Sequence, residues 1–414
     1  MKRSKLCDAA AALATLCLLF PSLATGDSAQ VLPKGVSHIG LQYKNYIPVD
    51  TRWGPDGSSE KVSKDLDKVL LDSTIVPLIS LLEAAYSMTP GTGNVGTTMV
   101  DYEFEETEGS ITYQYGLTDK ITVGVFIPYY WKKTKVNEAF VETSTGTLGQ
   151  NPAFGTTADP FGTPFIPITL GGLQNDAFAT AFVQGFLQSD LGLEPIETWS
   201  ESGIGDIEAG LRYQYYSSEK WRLAATGNII FPTGEIDDPD NLIDRSFGNG
   251  AMGLQIDFNQ DYTGIDKLTL NATVGLGFYF VDKLVRRVPD DVNKPITTNK
   301  AKVEKDVSDE YSLELSAGYS LSETLSISLM YRYLLGTGDD VSGKNPALDY
   351  SSLEDETDWN EQLYKIGLTY STVSRYLEEK ARVPMFVSIA YRDRFDGENI
   401  TDSSYYSLSA GVFF

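Results

Sequence analysis

The last nine residues read Tyr406-Ser407-Leu408-Ser409-Ala410-Gly411-Val412-Phe413-Phe414. Tyr406, Leu408, Ala410, Val412 and Phe414 are apolar, and mostly small or polar residues stand between them. A period of two describes a strand with one apolar and one wet face. On its own this is compatible with an ordinary strand of a soluble sheet. The pattern recurs along the chain, however. It runs through Ile39, Leu41, Tyr43; Ile121 to Tyr129; Ile207 to Tyr215; Leu223 to Phe231; and Met252 to Phe258. It continues through Leu268 to Phe280, Tyr311 to Tyr319, Leu325 to Tyr333, Tyr364 to Tyr370 and Met385 to Tyr391.

The connections are sorted by length. Short turns fall near residues 118, 218, 262 and 322, and long acidic connections near 135–204, 234–247, 283–305, 338–358 and 393–402. Short turns at one end and long loops at the other are the pattern of a membrane-spanning antiparallel barrel. The stretch from Thr97 to Leu117 changes phase near Gly109: Val100, Tyr102 and Phe104 are out of step with Ile111, Tyr113 and Tyr115. A one-residue bulge or a hairpin would each produce this. Parity favours the bulge, because single-chain bacterial barrels have even strand numbers. The expected fold is therefore an all-β, up-and-down transmembrane barrel of twelve strands, or fourteen if a strand lies within 49–95 or 135–204. The C-terminal strand is expected to close it against Ile39–Tyr43, with Phe414 at the periplasmic rim. It resembles the closing strand of outer-membrane barrels, so Tyr406, Leu408, Ala410, Val412 and Phe414 are candidate signals to the barrel assembly machinery.

Met1 to Lys5 is basic and Ala9 to Phe20 is apolar, followed by Ala24-Thr25-Gly26. This reads as a signal peptide over residues 1–26, leaving 27–414 as the barrel. Both cysteines, Cys7 and Cys17, lie in that segment, so cysteine ligation is not expected in the remainder. No stretch reads as a membrane helix; Thr74 to Tyr86 is interrupted by Pro77 and Glu83. With 33 basic and 57 acidic residues the net charge is −24. That sign argues against nucleic-acid binding. Expected partners are outer-membrane lipid and lipopolysaccharide, the assembly machinery and a small solute.

The faces opposite the apolar residues carry Asp206, Glu208 and Arg212; Arg222 and Asn228; Asp257; Glu314; Arg332; Lys365; and Arg392. A soluble sandwich would bury an apolar interior, whereas a transmembrane barrel is polar inside. These residues are candidate lumen-lining groups that set the field of a pathway, with Arg222 expected to pair with Asp206 or Glu208. Tyr and Phe at strand ends suit interfacial girdles. Two inserts, 49–95 and 135–204, are long for passive loops. Glu60–Leu71, Ser73–Met88 and Asn175–Leu187 read as helical, and the last two are candidates to fold over or into the lumen.

No catalytic constellation is present. There is no Gly-x-Ser-x-Gly elbow or His-Glu-x-x-His motif, and one histidine, His38, is too few for a triad elsewhere. The run Asp237-Asp238-Pro239-Asp240-Asn241 lacks the spacing of a calcium loop. No metal, cofactor or enzymatic activity is expected.

Tyr115-Gly116-Leu117-Thr118-Asp119-Lys120, the run Gly203-Ile204-Gly205-Asp206-Ile207-Glu208-Ala209-Gly210-Leu211-Arg212-Tyr213, and Phe231-Pro232-Thr233-Gly234-Glu235 together resemble the outer-membrane family named for the meta-pathway of phenol degradation. Leu32-Pro33-Lys34-Gly35-Val36 fits the same resemblance. It implies a barrel and the uptake of small, hydrophobic or aromatic molecules, without a catalytic site. The expected function is an outer-membrane channel with a polar lumen narrowed by inserted loops. The alternative is a structural barrel that sheathes a periplasmic partner.

Overall fold

A computed structural model describes residues 27–157, 162–291 and 296–414; the signal-peptide segment lies outside the described residues. Twelve strands close into one antiparallel barrel. They are β1 (Ser37–Tyr46), β2 (Asn94–Thr118), β3 (Ile121–Glu142) and β4, which runs as Trp199–Ile204 and Ile207–Ser217 with a break at Gly205-Asp206. Next come β5 (Trp221–Phe231), β6 (Gly253–Ile265), β7 (Leu268–Tyr279) and β8 (Glu310–Ser320). The last four are β9 (Leu325–Thr337), β10 (Asp358–Ser371), β11 (Met385–Glu398) and β12 (Ser404–Phe413). Each strand pairs with its neighbours in sequence order, and β1 closes on β12 in the register Ile39↔Val412, Leu41↔Ala410, Tyr43↔Leu408. Backbone bonds between Ser37 and Phe414, 2.8 and 3.0 Å, finish that seam at the end of the short turns.

The outer face is apolar. Leu41, Ile111, Leu211, Leu315, Leu329, Ile389 and Leu408 all stand exposed on it. Aromatics collect at both ends: Tyr213, Tyr215, Trp221, Tyr319 and Tyr370 near the short turns, and Tyr43, Tyr129, Trp131, Phe231, Phe395 and Tyr406 toward the long loops. A closed barrel that is apolar outside, polar inside and belted by aromatics is an outer-membrane barrel.

The phase change at Gly109 has a different cause from the bulge expected. β2 pairs with β3 without interruption from Tyr102↔Val136 through Gly109↔Tyr129 to Gly116↔Thr122, and the register shifts lie to either side, at Asp101/Tyr102 and Gly116/Thr118. What changes is the environment. These two strands, 25 and 22 residues long, are about twice a membrane-spanning strand. In the lower half Ile111 and Tyr113 face outward, while Glu108 and Ser110 are buried inside. In the upper half the inward side carries Val100, Tyr102 and Phe104, packed on Val49, Val62 and Ile243 of the loops. The outward side there carries ion pairs Glu105–Lys133 and Glu103–Lys135. Apolar and polar faces exchange where lipid outside gives way to water.

The long loops build a cap over the strand ends. Helices α1 (Leu78–Ala85) and α2 (Asp176–Ser189) share one apolar cluster. In it Val76, Ile79 and Leu82 meet Phe165, Val183 and Leu187 above Val95 and Val141. Asn175 caps α2, its side chain accepting the Phe178 N–H. The Asn175–Leu187 reading is thus met by α2, and Ser73–Met88 by the shorter α1. Glu60–Leu71 is not helical: it holds a strand end at Ser59–Lys61, turns, and the start of Leu70–Asp72. Its polar residues are held by tertiary pairs such as Lys64–Glu356, 3.0 Å. A third helix, α3 (Val373–Leu377), sits in the connection between β10 and β11. The connection expected near 262 turns at Asp266-Lys267, between Ile265 and Leu268.

Candidate functional site: a lumen threaded by the N-terminal segment

The segment that fills the lumen is one the sequence pattern did not assign to it. Residues 27–36 run down inside the barrel, from Asp27 at mid-lumen to the periplasmic mouth where β1 begins. The Asp27 N–H donates to Glu314, 2.8 Å, and its carbonyl accepts from Asn271 and Thr273, 2.7 and 3.0 Å. Its carboxylate accepts from Asn259, 2.6 Å, and pairs with Arg212. Asp261, fully buried, accepts the Ser28 hydroxyl at 2.8 Å and the Ala29 N–H at 3.0 Å. Gln214 donates to the Ala29 carbonyl, 2.9 Å, and the Leu32 N–H to Thr122, 2.7 Å. At the periplasmic mouth Leu32 packs with Val373, Phe386 and Phe413. His38 stacks on Phe413 there, ring centroids 4.7 Å apart. Glycine is required at Gly116: a Cβ there would fall 2.0 Å from the Pro33 carbonyl oxygen.

Two chambers remain around this segment. One, about 450 Å³, is lined by Glu208, Arg212, Asn228, Asp257, Glu314 and Arg332 with Asp27. The other, about 480 Å³, is lined by Lys44, Arg332, Glu361, Lys365, Arg392 and Arg394, again with Asp27 and Glu314. Carboxylates on β4 and β6 (Glu208, Asp257) thus stand on the opposite side of the ring from cations on β9 to β11 (Arg332, Lys365, Arg392). With Arg212 also on β4 and Glu361 on β10, the sorting is one of excess, acidic on one side and basic on the other, in a low-dielectric wall where charge acts more strongly than in bulk water.

Eight of the ten candidate lumen residues line these chambers, and two do not. Arg222 lies against Asp261, 3.3 Å, near the short turns. Its cross-strand partner is Ser217, so Asp206 and Glu208 are out of its reach. Asp206 sits in the break of β4 and accepts the Gly234 and Asn249 N–H groups, 2.9 and 2.8 Å. It pins the 232–252 loop instead of lining the pathway. Sequence reasoning missed Asp27, Lys44, Glu108, Asp261 and Glu361. The last four occupy the inward parity of strands already recognised, so the same alternation could have found them. Tyr406, Leu408, Ala410 and Val412 share the outer face of β12, and Phe414, just past its end, stands exposed in the same parity.

The acidic run 237–241 is engaged by cations. Asp237 pairs with Arg286, 2.8 Å, and Asp240 with Arg287, 2.6 Å, and with Lys300. Burial opposes ionisation of Asp240, but Lys300 and Arg287 hold its carboxyl below the ordinary value. Asp244, in the same loop, is pushed up to about 6 by burial and by Asp237, Asp238 and Glu201.

A family model described as "Putative MetA-pathway of phenol degradation" matches residues 138–374, more than half of the chain. The chain belongs to this family. Strands β4 to β10 lie within the family match, and with them Arg332 and Lys365 of the basic wall. Among solved structures, an outer membrane channel from Pseudomonas putida F1 has a TM-score of 0.53 at 12% identity, over 94% of this chain and 99% of that chain. That likeness is one of fold. The Ralstonia pickettii toluene transporter TbuX overlaps 92% of this chain and 89% of its own, at 11% identity and a TM-score of 0.35. No curated protein matches the sequence.

Proposed function

We propose that this member of the phenol-degradation family is an outer-membrane channel for small organic solutes, aromatic compounds among them. The observation that carries the reading is the lumen: a polar pathway with charges sorted onto opposite walls, occupied by the chain's own N-terminal segment. Twelve strands lie between the small barrels that side chains fill and the sixteen-stranded porins that hold an open aqueous channel. Chambers of about 450 and 480 Å³ suit single-ring solutes and leave no room for a folded partner, which disfavours the sheath. The family's description and the fold shared with the Pseudomonas outer membrane channel support the same reading.

The test is uptake of labelled phenol by cells with and without the chain, beside conductance of the purified barrel in planar bilayers. Faster uptake and a small, discrete conductance are expected. Unchanged uptake together with a silent bilayer sinks the proposal.

A further inference from the structure

The second chamber holds more cations than carboxylates. Lys365 on β10 stands directly across from Arg392 on β11. On its other side it faces Met330 of β9, two residues from Arg332. Like charges directly opposite one another destabilise a sheet. Some of this charge is settled locally. Arg392 reaches Glu361 at 3.2 Å and donates to the Ser403 carbonyl and hydroxyl at 2.9 and 3.0 Å. Arg394 shares the same Glu361, and Lys44 pairs with Glu108 at 2.8 Å. Arg332 on β9 faces Glu314 on β8, a single carboxylate that both Arg332 and Lys365 share at longer range and that also accepts the Asp27 N–H. Among the described residues, neither Arg332 nor Lys365 is in a close ion pair; both act on Glu314, and Arg332 also on Glu310 and Asp257, only at longer range. Five cations and three carboxylates line the chamber, inside a chain whose net charge is −24.

The remaining lining is aromatic and apolar. Tyr405 lies under Lys44 and Arg392, 5.6 and 5.5 Å from its ring centre. Tyr46 meets it at 5.0 Å, tilted, and Met330 and Leu363 complete the wall. Diagonal neighbours across a strand pair are about 7–8 Å apart, within reach of one carboxylate held by two long side chains.

We propose that this chamber binds a small aromatic carboxylate, its carboxylate between Lys365 and Arg332 and its ring against Tyr405 and Tyr46. The anion offsets the chamber's excess of cations, and the ring meets the apolar side of the same cavity. The assignment rests on the channel reading only for the route by which the ligand arrives. Binding itself is measured on the purified barrel.

The experiment is a ligand-observed NMR titration of the detergent-solubilised barrel with sodium benzoate, with benzamide as the neutral analogue and sodium sulfate as competitor. Benzoate should bind at least tenfold more tightly than benzamide and resist displacement by equimolar sulfate. Lys365→Gln and Arg332→Gln should each weaken benzoate at least tenfold, and Lys365→Arg should restore it. Heat-modifiable gel mobility confirms that each variant is a folded barrel. No benzoate binding, or unchanged binding in both glutamine variants, overturns the site. Displacement by equimolar sulfate overturns its aromatic half. Binding without benzoate influx into proteoliposomes would leave the site standing and count against the channel.

Discussion

Asp261 is one carboxylate on which the wall and the N-terminal segment meet. It takes Ser28 and Ala29 from the segment, Asn271 from β7 and Arg222 from β5. Removing one partner of a buried charge pair costs about 3–5 kcal/mol, because the other is left uncompensated. Asp261→Asn should therefore destabilise the barrel by about 3 kcal/mol in urea unfolding from lipid vesicles. Adding Arg222→Met should recover part of that loss. A single variant within about 1 kcal/mol of the parent would show that Arg222 finds other compensation. Asp244 makes a pH prediction of the opposite kind. Its carboxyl is raised to about 6, so the folded loop holds the proton more tightly than the unfolded chain does. Stability of the loop is then greatest below about 4 and is lost as pH rises through about 6. Proteolytic nicking of residues 232–252 should be slower at about pH 5 than at about pH 7.5, and Asp244→Asn should flatten the difference.

Among the elements, periodicity read well wherever one strand met one environment. Ten strands that run from lipid to loop and stop were legible as alternation, and α2 was legible from its apolar spacing and its Asn175 cap. β2 and β3 were harder because each crosses two environments, and a single-phase template reads an exchange of faces as a slip. Glu60–Leu71 failed although Lys64 does pair with Glu60 four residues back, 2.8 Å, because Lys64 and Arg52 also bind Glu356 of a distant loop and hold the segment in turns. The N-terminal segment was hidden for another reason. It has no periodicity, and its partners Asn259, Asp261, Asn271 and Thr273 come from two strands far away in sequence. Gly116 tests its seat. In Gly116→Ala the new methyl would overlap the Pro33 carbonyl, so the two backbones must part while the β2–β3 ladder persists. Single-channel conductance should rise several-fold over the parent, approaching that of a chain lacking residues 27–36. Equal conductance in all three would mean that the segment does not restrict the pathway.

For the whole molecule the decisive property is closure. An open twelve-stranded sheet would present two unpaired edges to hydrocarbon, where each unsatisfied backbone group costs several kcal/mol. The β1–β12 seam removes both edges at once, and its last bonds join Ser37 to Phe414. The two final aromatics divide their roles by parity. Phe413 is buried with Leu32, Phe386 and His38 at the mouth of the lumen. Phe414 is 65% exposed on the outer rim. The sequence carried this seam in full, since alternation fixes both which residues face outward and where pairing must end. The chambers were only partly legible, because charge sorting across a ring depends on which strands lie opposite. Removing Phe414 would delete the final pair of the seam and an outward ring while leaving Phe413 and the lumen in place. Such a chain should therefore assemble several-fold less efficiently, read as the heat-modifiable fraction in outer membranes, while each barrel that does form conducts like the parent. A normal assembled fraction would show that closure is secured further up the strand, by pairs such as Leu41↔Ala410, and that the terminal aromatic is dispensable to it.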